Sequence, residues 1–300
     1  MIDAYHLRAY LLLLGTTWCW GLNAIFSKLA VGEISPMQLV TFRWLGVVIL
    51  LAVFARENIV RDWPILRRHL PYLCLMGSCG FTAFNALFYV AAHHTSAINI
   101  GILQGSIPVY VLLASWLIWR HQITRLQSLG VIVTLLGVII VASGGDWNAL
   151  QSLSVNRGDL FMLIACFLYA AYSIGLSRKP NVSALGLFAI MATVAWLVSI
   201  PVVAIETYQQ GWHTPSLTGW TIALLTTLLP SLVAQTFFIK GVTMIGPGRA
   251  SIFVNLVPVL ASIMAVVFLQ ESFKAHHAVS LTLVLGGIWL SEAGRAKQAR

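Results

Sequence analysis

Residues 36 to 55 read PMQLVTFRWLGVVILLAVFA, an uninterrupted apolar stretch around a single charge, Arg43. A helix rises about 1.5 Å per residue, so about twenty residues cross the roughly 30 Å hydrocarbon layer of a bilayer. The stretch is too long for a strand and has no polar face for water, so it reads as a membrane crossing. A guanidinium inside such a crossing is costly, which makes Arg43 the first candidate for a functional residue.

Nine further stretches qualify: 8–28, 70–91, 97–118, 126–143, 158–177, 183–206, 217–239, 248–270 and 277–294. The whole chain agrees with that reading. Of its 300 residues 59% are hydrophobic and 9% charged, against roughly 25% charged in a soluble domain. The expected class is therefore an all-α polytopic membrane protein with ten transmembrane helices. The first stretch lacks a small-residue cleavage signature and carries Trp18, Trp20 and Asn23, so it is expected to be retained and not removed as a signal peptide.

The formal net charge is +9, but the basic residues are scattered over short loops and form no stripe for nucleic acid. They report orientation instead. With the N-terminus cytoplasmic, Arg56, Arg61, Arg67, Arg68, Arg120, Arg125, Arg178, Lys179 and most other basic residues fall on the cytoplasmic side, leaving Lys28, Arg157 and Lys274 outside. That asymmetry places both termini in the cytoplasm.

The chain also resembles itself. Pro108 matches Pro258, Gly137 matches Gly287, Phe88 matches Phe238 and Asn85 aligns with Gln235, all at one gapless offset (258 − 108 = 150). Two units follow, residues 1–147 and 148–300, joined through Gly144 and Gly145. Five crossings per unit is an odd number, so the second copy enters the membrane from the opposite face. Inverted repeats of this kind belong to transporters, with a binding site between the halves near the midplane.

Polar side chains deep in apolar spans are the candidates for that site. Asn23, Arg43, Asn85 and Gln104 lie on the first four helices, in the outer half or near the middle. Arg43 suits a carboxylate or phosphate, or else bonds helix-end carbonyls or an acid such as Glu33. Gln235 mirrors Asn85 in the second copy, and Asn255 and Ser231 are expected toward the inner half. These amides either bind substrate or tie helices together. Among the aromatics, Trp20 and Tyr172 are expected to face the cavity. Pro108 and Pro258, with Gly101 and Gly248, mark bends for gating, or static bends and close helix packing.

The rest of the polar inventory is bland. His93-His94 and His276-His277 read as solvated loop residues, and the four cysteines, Cys19, Cys74, Cys79 and Cys166, as core. Neither a metal nor another cofactor is expected. Every Asp and Glu lies away from the middle of a span, so passive exchange fits better than a carboxylate proton relay.

Several of these residues carry a family resemblance that covers nearly the whole chain. Trp20-Gly21-x-Asn23 with Lys28, Phe42-Arg43, Ala97, Pro108, Gly130 and Gly137, the run Gly246 to Ser251, Pro258 and Leu269-Gln270-Glu271 resemble the EamA-type branch of the drug/metabolite transporter superfamily. One departure is that the acid kept as Glu271 in the second copy is replaced by Arg120-His121 in the first.

The resemblance implies a bacterial inner-membrane carrier, an exporter of amino acids or related small amphiphilic metabolites working by alternating access. The alternatives are a multidrug or organic-cation exporter of the same fold, a channel, or an intramembrane enzyme. The spans offer no paired acid and base for the last of these. The expected partners are a small-molecule substrate and the lipid bilayer, without nucleic acid and with a single chain as the working unit.

Overall fold

The computed structural model describes residues 4–120, 123–146, 156–245 and 253–298. Among them all regular structure is helical. The first repeat holds α1 (Ala4–Leu29), α2 (Pro36–Phe54), α3 (Arg56–Leu66), α4 (Leu70–Gly77), α5 (Phe84–Ala92), α6 (Ala97–Leu103), α7 (Ile107–Trp119) and α8 (Arg125–Ala142). The second holds α9 (Arg157–Gly175), α10 (Ala184–Gln210), α11 (Leu217–Thr226), α12 (Ala234–Ile245), α13 (Val257–Leu269) and α14 (Ala275–Gln298).

Eight helical stretches among the described residues are long and apolar enough to cross a membrane, and α13 is a shorter apolar helix. The expected count of ten is therefore met for eight. The ninth expected span begins at residue 248, outside the described residues. The tenth corresponds to α14, whose length suffices but whose apolar run is diluted by His276, His277 and Glu292. The outward faces are apolar: Phe54, Leu117, Ile132, Phe167 and Val267 are all more than half exposed. Patches on that scale are covered by lipid in a protein of this composition.

Local sequence explains where the helices start and break. Ser35 caps α2, its hydroxyl accepting a hydrogen bond from the Gln38 backbone N–H while its own backbone N–H donates to Gln38 Oε1, with Pro36 in the first turn. The third expected span is one continuous rod, α4 and α5, joined through a π-helical turn at Ser78–Ala83. The eighth repeats this pattern with a π turn at Thr227–Val233 between α11 and α12. Pro230 sits inside that second turn and has no N–H to give, which favours a widened register there.

The fourth span is broken in the same spirit. A 3₁₀ turn at Gln104–Ser106 separates α6 from α7, and Pro108 opens α7 where a missing N–H costs nothing. In the second copy a turn at Asn255 and Leu256 precedes α13, with Pro258 in its first turn. These two broken spans then end alike: Arg120 and Gln270, at φ 53° and 54°, stop α7 and α13 in the left-handed conformation that non-glycine residues seldom adopt.

The two copies interlock. α1 packs on α12 and α13, α2 on α10, α5 on α9, and α8 on α14. The last contact is backbone on backbone, since a Cβ added at Gly130 would lie 2.5 Å from the Gly287 carbonyl oxygen. Small residues permit that approach, which gives helices in lipid their van der Waals attraction. At the centre, Trp44, Phe81, Phe88, Tyr89, Tyr172 and Phe188 belong to one buried cluster.

Candidate substrate-binding site

Arg43 projects from α2 into the middle of the bundle and is 5% exposed. Its Nε donates to Ser231 Oγ at 2.6 Å. Its Nη1 donates to Asn85 Oδ1 at 2.7 Å, to the Tyr89 hydroxyl at 2.5 Å and to Asn23 Oδ1 at 3.2 Å. These four partners come from α1, α5 and the π turn of the second repeat, so one guanidinium joins three elements to α2. Each partner is held in turn: Tyr89 donates to Asn23 Oδ1, Asn85 Nδ2 to the Phe81 carbonyl, and Ser231 Oγ to the Thr226 carbonyl.

None of these acceptors is charged. Glu33, a possible partner by sequence, is engaged elsewhere: its carboxylate accepts from the Ser216 hydroxyl. The Arg43 charge is therefore met at Nε and Nη1 by neutral oxygens, which do not cancel it.

Beside this network lies a cavity of about 140 Å³. Arg43, Asn23 and Asn85 line it together with Trp20, Gln104, Gln235 and Asn255, and Pro108 and Pro258 come to it from the two broken helices. Nearly all the residues singled out from sequence thus converge on one space. The rest of the wall is apolar and aromatic, including Phe81, Phe84, Tyr169 and Phe188.

Tyr172, Gly101 and Gly248 stand apart from this convergence. Tyr172 does not line the cavity; it is buried behind the wall, its ring against Gly80 and 5.4 Å from that of Phe81. Gly101 lies at a tight helix contact, where an added Cβ would come within 2.7 Å of Ala261 Cβ. Gly248 falls outside the described residues.

Sequence reading missed Trp44. Its ring stacks on Phe81 at 4.7 Å between centroids and 7° between planes, and Arg43 Cζ lies 5.3 Å from the Trp44 ring centre. Trp44 also lines the cavity, and its buried Nε1 has no hydrogen-bond partner among the described residues. A buried indole N–H is nearly always bonded, so this one stands out. The available signal was its position directly after the intramembrane arginine.

A second, polar cavity of about 610 Å³ is lined by Lys28, His93, His94, Glu271, Lys274 and His277 from the interhelical connections and adjoining helix ends. His277 is not a solvated loop residue: it is buried, and its Nδ1 accepts from the Lys274 amide. Burial, with His94 and Lys28 close by, holds the His93 imidazole below its usual pKa. Lys28 donates to the carbonyls of Ala92 and Thr95 at the end of α5. Glu271 accepts from the Ala97 and Ile98 amides at 2.8 and 3.0 Å, closing the N-terminus of α6 across the repeat boundary.

A lipid-facing helical bundle, repeated twice, with broken helices around a buried polar cavity defines a multi-pass membrane protein of transporter architecture. The chain belongs to the EamA-like transporter family, whose model matches residues 7–143 and again 156–292. It is 26% identical over 287 residues to the uncharacterized transporter YyaM of Bacillus subtilis, covering 94% of this chain and 93% of that protein. An uncharacterized transporter of Archaeoglobus fulgidus is 24% identical, with 95% and 98% covered. A solved crystal structure at 18% identity superposes with a TM-score of 0.63 over 94% of this chain and 95% of its own, a likeness of fold.

Proposed function

We propose that this protein is a secondary transporter that exports amino acids or related small amphiphilic metabolites by alternating access. Its residues 1–147 and 148–300 act as inverted five-helix repeats in a bacterial inner membrane, with both termini cytoplasmic and a single chain as the working unit. The observation that carries this reading is the meeting of interrupted helices from both copies at one cavity. The break at Gln104–Ser106 and the turn at Asn255 both reach it, as do Gly80 and Pro230 from the two π turns. Interrupted helices around a buried polar space are the parts that rock in alternating access.

The described lining of the cavity holds no Asp or Glu, which supports exchange or downhill export over a carboxylate proton relay within the cavity. An organic cation would meet Arg43 as a like charge, so a cation exporter is the second reading. A catalytic role has no paired acid and base to support it among the described lining residues.

Purified protein in liposomes tests the proposal. Liposomes preloaded with unlabelled amino acids and amphiphilic acids are expected to show a transient overshoot of labelled compound. Flux linear in concentration, with no overshoot, would indicate a channel instead.

A further inference from the structure

We infer that Arg43 and Trp44 form a subsite for one carboxylate, and that the substrate is an apolar monocarboxylate of aromatic size, in preference to a zwitterion or a cation. The inference rests on reading the central cavity as the substrate site, and within the proposed range of substrates it selects amphiphilic acids over amino acids.

Two donors are unspent at this point. All four hydrogen bonds of the guanidinium leave from Nε and Nη1, so Nη2 has no protein acceptor among the described residues. The neighbouring Trp44 is 3% exposed, lines the same cavity, and its Nε1 is also without an acceptor. A buried donor left unmade is costly, so the Trp44 N–H calls for an acceptor, and the Nη2 end of the guanidinium, on a residue that lines the same cavity, offers that acceptor a second point of attachment. A carboxylate has two oxygens to offer them.

Charge balance narrows the choice. Arg43 is the one charged residue among the described lining residues, and its protein partners are neutral. A monoanion cancels its charge. A phosphate dianion would leave a negative charge in a poorly solvated space, a zwitterion would leave its ammonium facing amides with no carboxylate, and a cation would add to the charge already there. The walls set the remainder: aromatic rings and the prolines 108, 230 and 258 favour an apolar body. At roughly 10–15 Å³ per water-sized group, a cavity of about 140 Å³ holds on the order of ten such groups, which suits phenylacetate with about ten non-hydrogen atoms.

The test uses the full chain in lipid nanodiscs and four probes of nearly one shape: phenylacetate, phenylalanine, phenethylamine and phenylacetamide. Equilibrium binding at neutral pH is expected to favour phenylacetate at least about tenfold over each of the others. Trp44→Phe keeps an aromatic ring on Phe81 and removes the N–H together with two ring carbons; it is expected to weaken phenylacetate by about threefold to tenfold and to weaken phenethylamine, which offers no acceptor, by less. Arg43→Gln, where it folds, is expected to erase the preference among charge states. Equal or tighter binding of phenylalanine or phenethylamine would overturn the inference, as would full phenylacetate affinity in Trp44→Phe. Binding of all four alike that is lost in the cavity-filling variant Ile107→Trp would keep the cavity as the site and remove the carboxylate subsite. Binding of none, or binding that survives Ile107→Trp, would overturn the cavity reading itself.

Discussion

Arg43 Nε lies 2.6 Å from Ser231 Oγ, a hydrogen bond that fastens the second helix of one repeat to the π turn of the other. The same guanidinium holds Asn23, Asn85 and Tyr89 from its own repeat. A single charged side chain thus spans the seam between the copies, at the wall of the cavity they enclose.

Ser231→Ala removes that fastening and leaves Nε without its acceptor. Loss of a hydrogen bond to a buried charged group costs about 1.5–3 kcal/mol. Thermal unfolding in detergent is expected to register that loss, and transport is expected to change because the proposed alternating access moves this seam. A melting temperature equal to that of the parent would show that the bond carries no weight.

Asn85→Asp places a carboxylate where Arg43 Nη1 now finds an amide oxygen at 2.7 Å. The guanidinium then has an internal counterion. Affinity for carboxylate substrates is expected to fall at least about tenfold, since the substrate no longer supplies the missing charge. Binding measured beside thermal stability separates this from misfolding, because the substituted protein is expected to remain folded.

Gly101 supports a contact where a methyl group has no room, 2.7 Å from Ala261 Cβ. Gly101→Ala is expected to destabilise the protein by about 1–3 kcal/mol through overpacking. Gly101→Ala with Ala261→Gly returns the volume and is expected to recover most of the loss, a non-additivity that a double-mutant cycle reads directly.

Glu271 closes the N-terminus of α6 with two backbone hydrogen bonds. Glu271→Ala is expected to cost about 0.5–2 kcal/mol, as the loss of a helix cap does, and to speed hydrogen exchange at the Ala97 and Ile98 amides. Unchanged exchange there would mean that the contact is not maintained in the membrane.

The fold was legible in the sequence because lipid imposes a length and a polarity on each crossing, and a gapless offset of 150 aligns Pro108 with Pro258. The site was legible to the extent that intramembrane polarity is rare: Asn23, Arg43, Asn85, Gln104, Gln235 and Asn255 stand out against apolar surroundings and reach one cavity. Trp44 was not legible, because an indole in an apolar helix is ordinary until its N–H proves to be without a partner. Tyr172 misled for a related reason. Facing a cavity and packing one layer behind it give the same sequence signature, and only the close fit of its ring on Gly80 separates the two.

In the proposed transport cycle the cavity around Arg43 opens to each side of the membrane in turn. Gln104 lines it, so Gln104→Cys in a chain with Cys19, Cys74, Cys79 and Cys166 replaced serves as a reporter. A membrane-impermeant maleimide is expected to modify this cysteine from the cytoplasmic face in inverted vesicles and from the outer face in right-side-out ones, with carboxylate substrate slowing both reactions. Modification from one face alone, under every substrate condition, would contradict alternating access at this site.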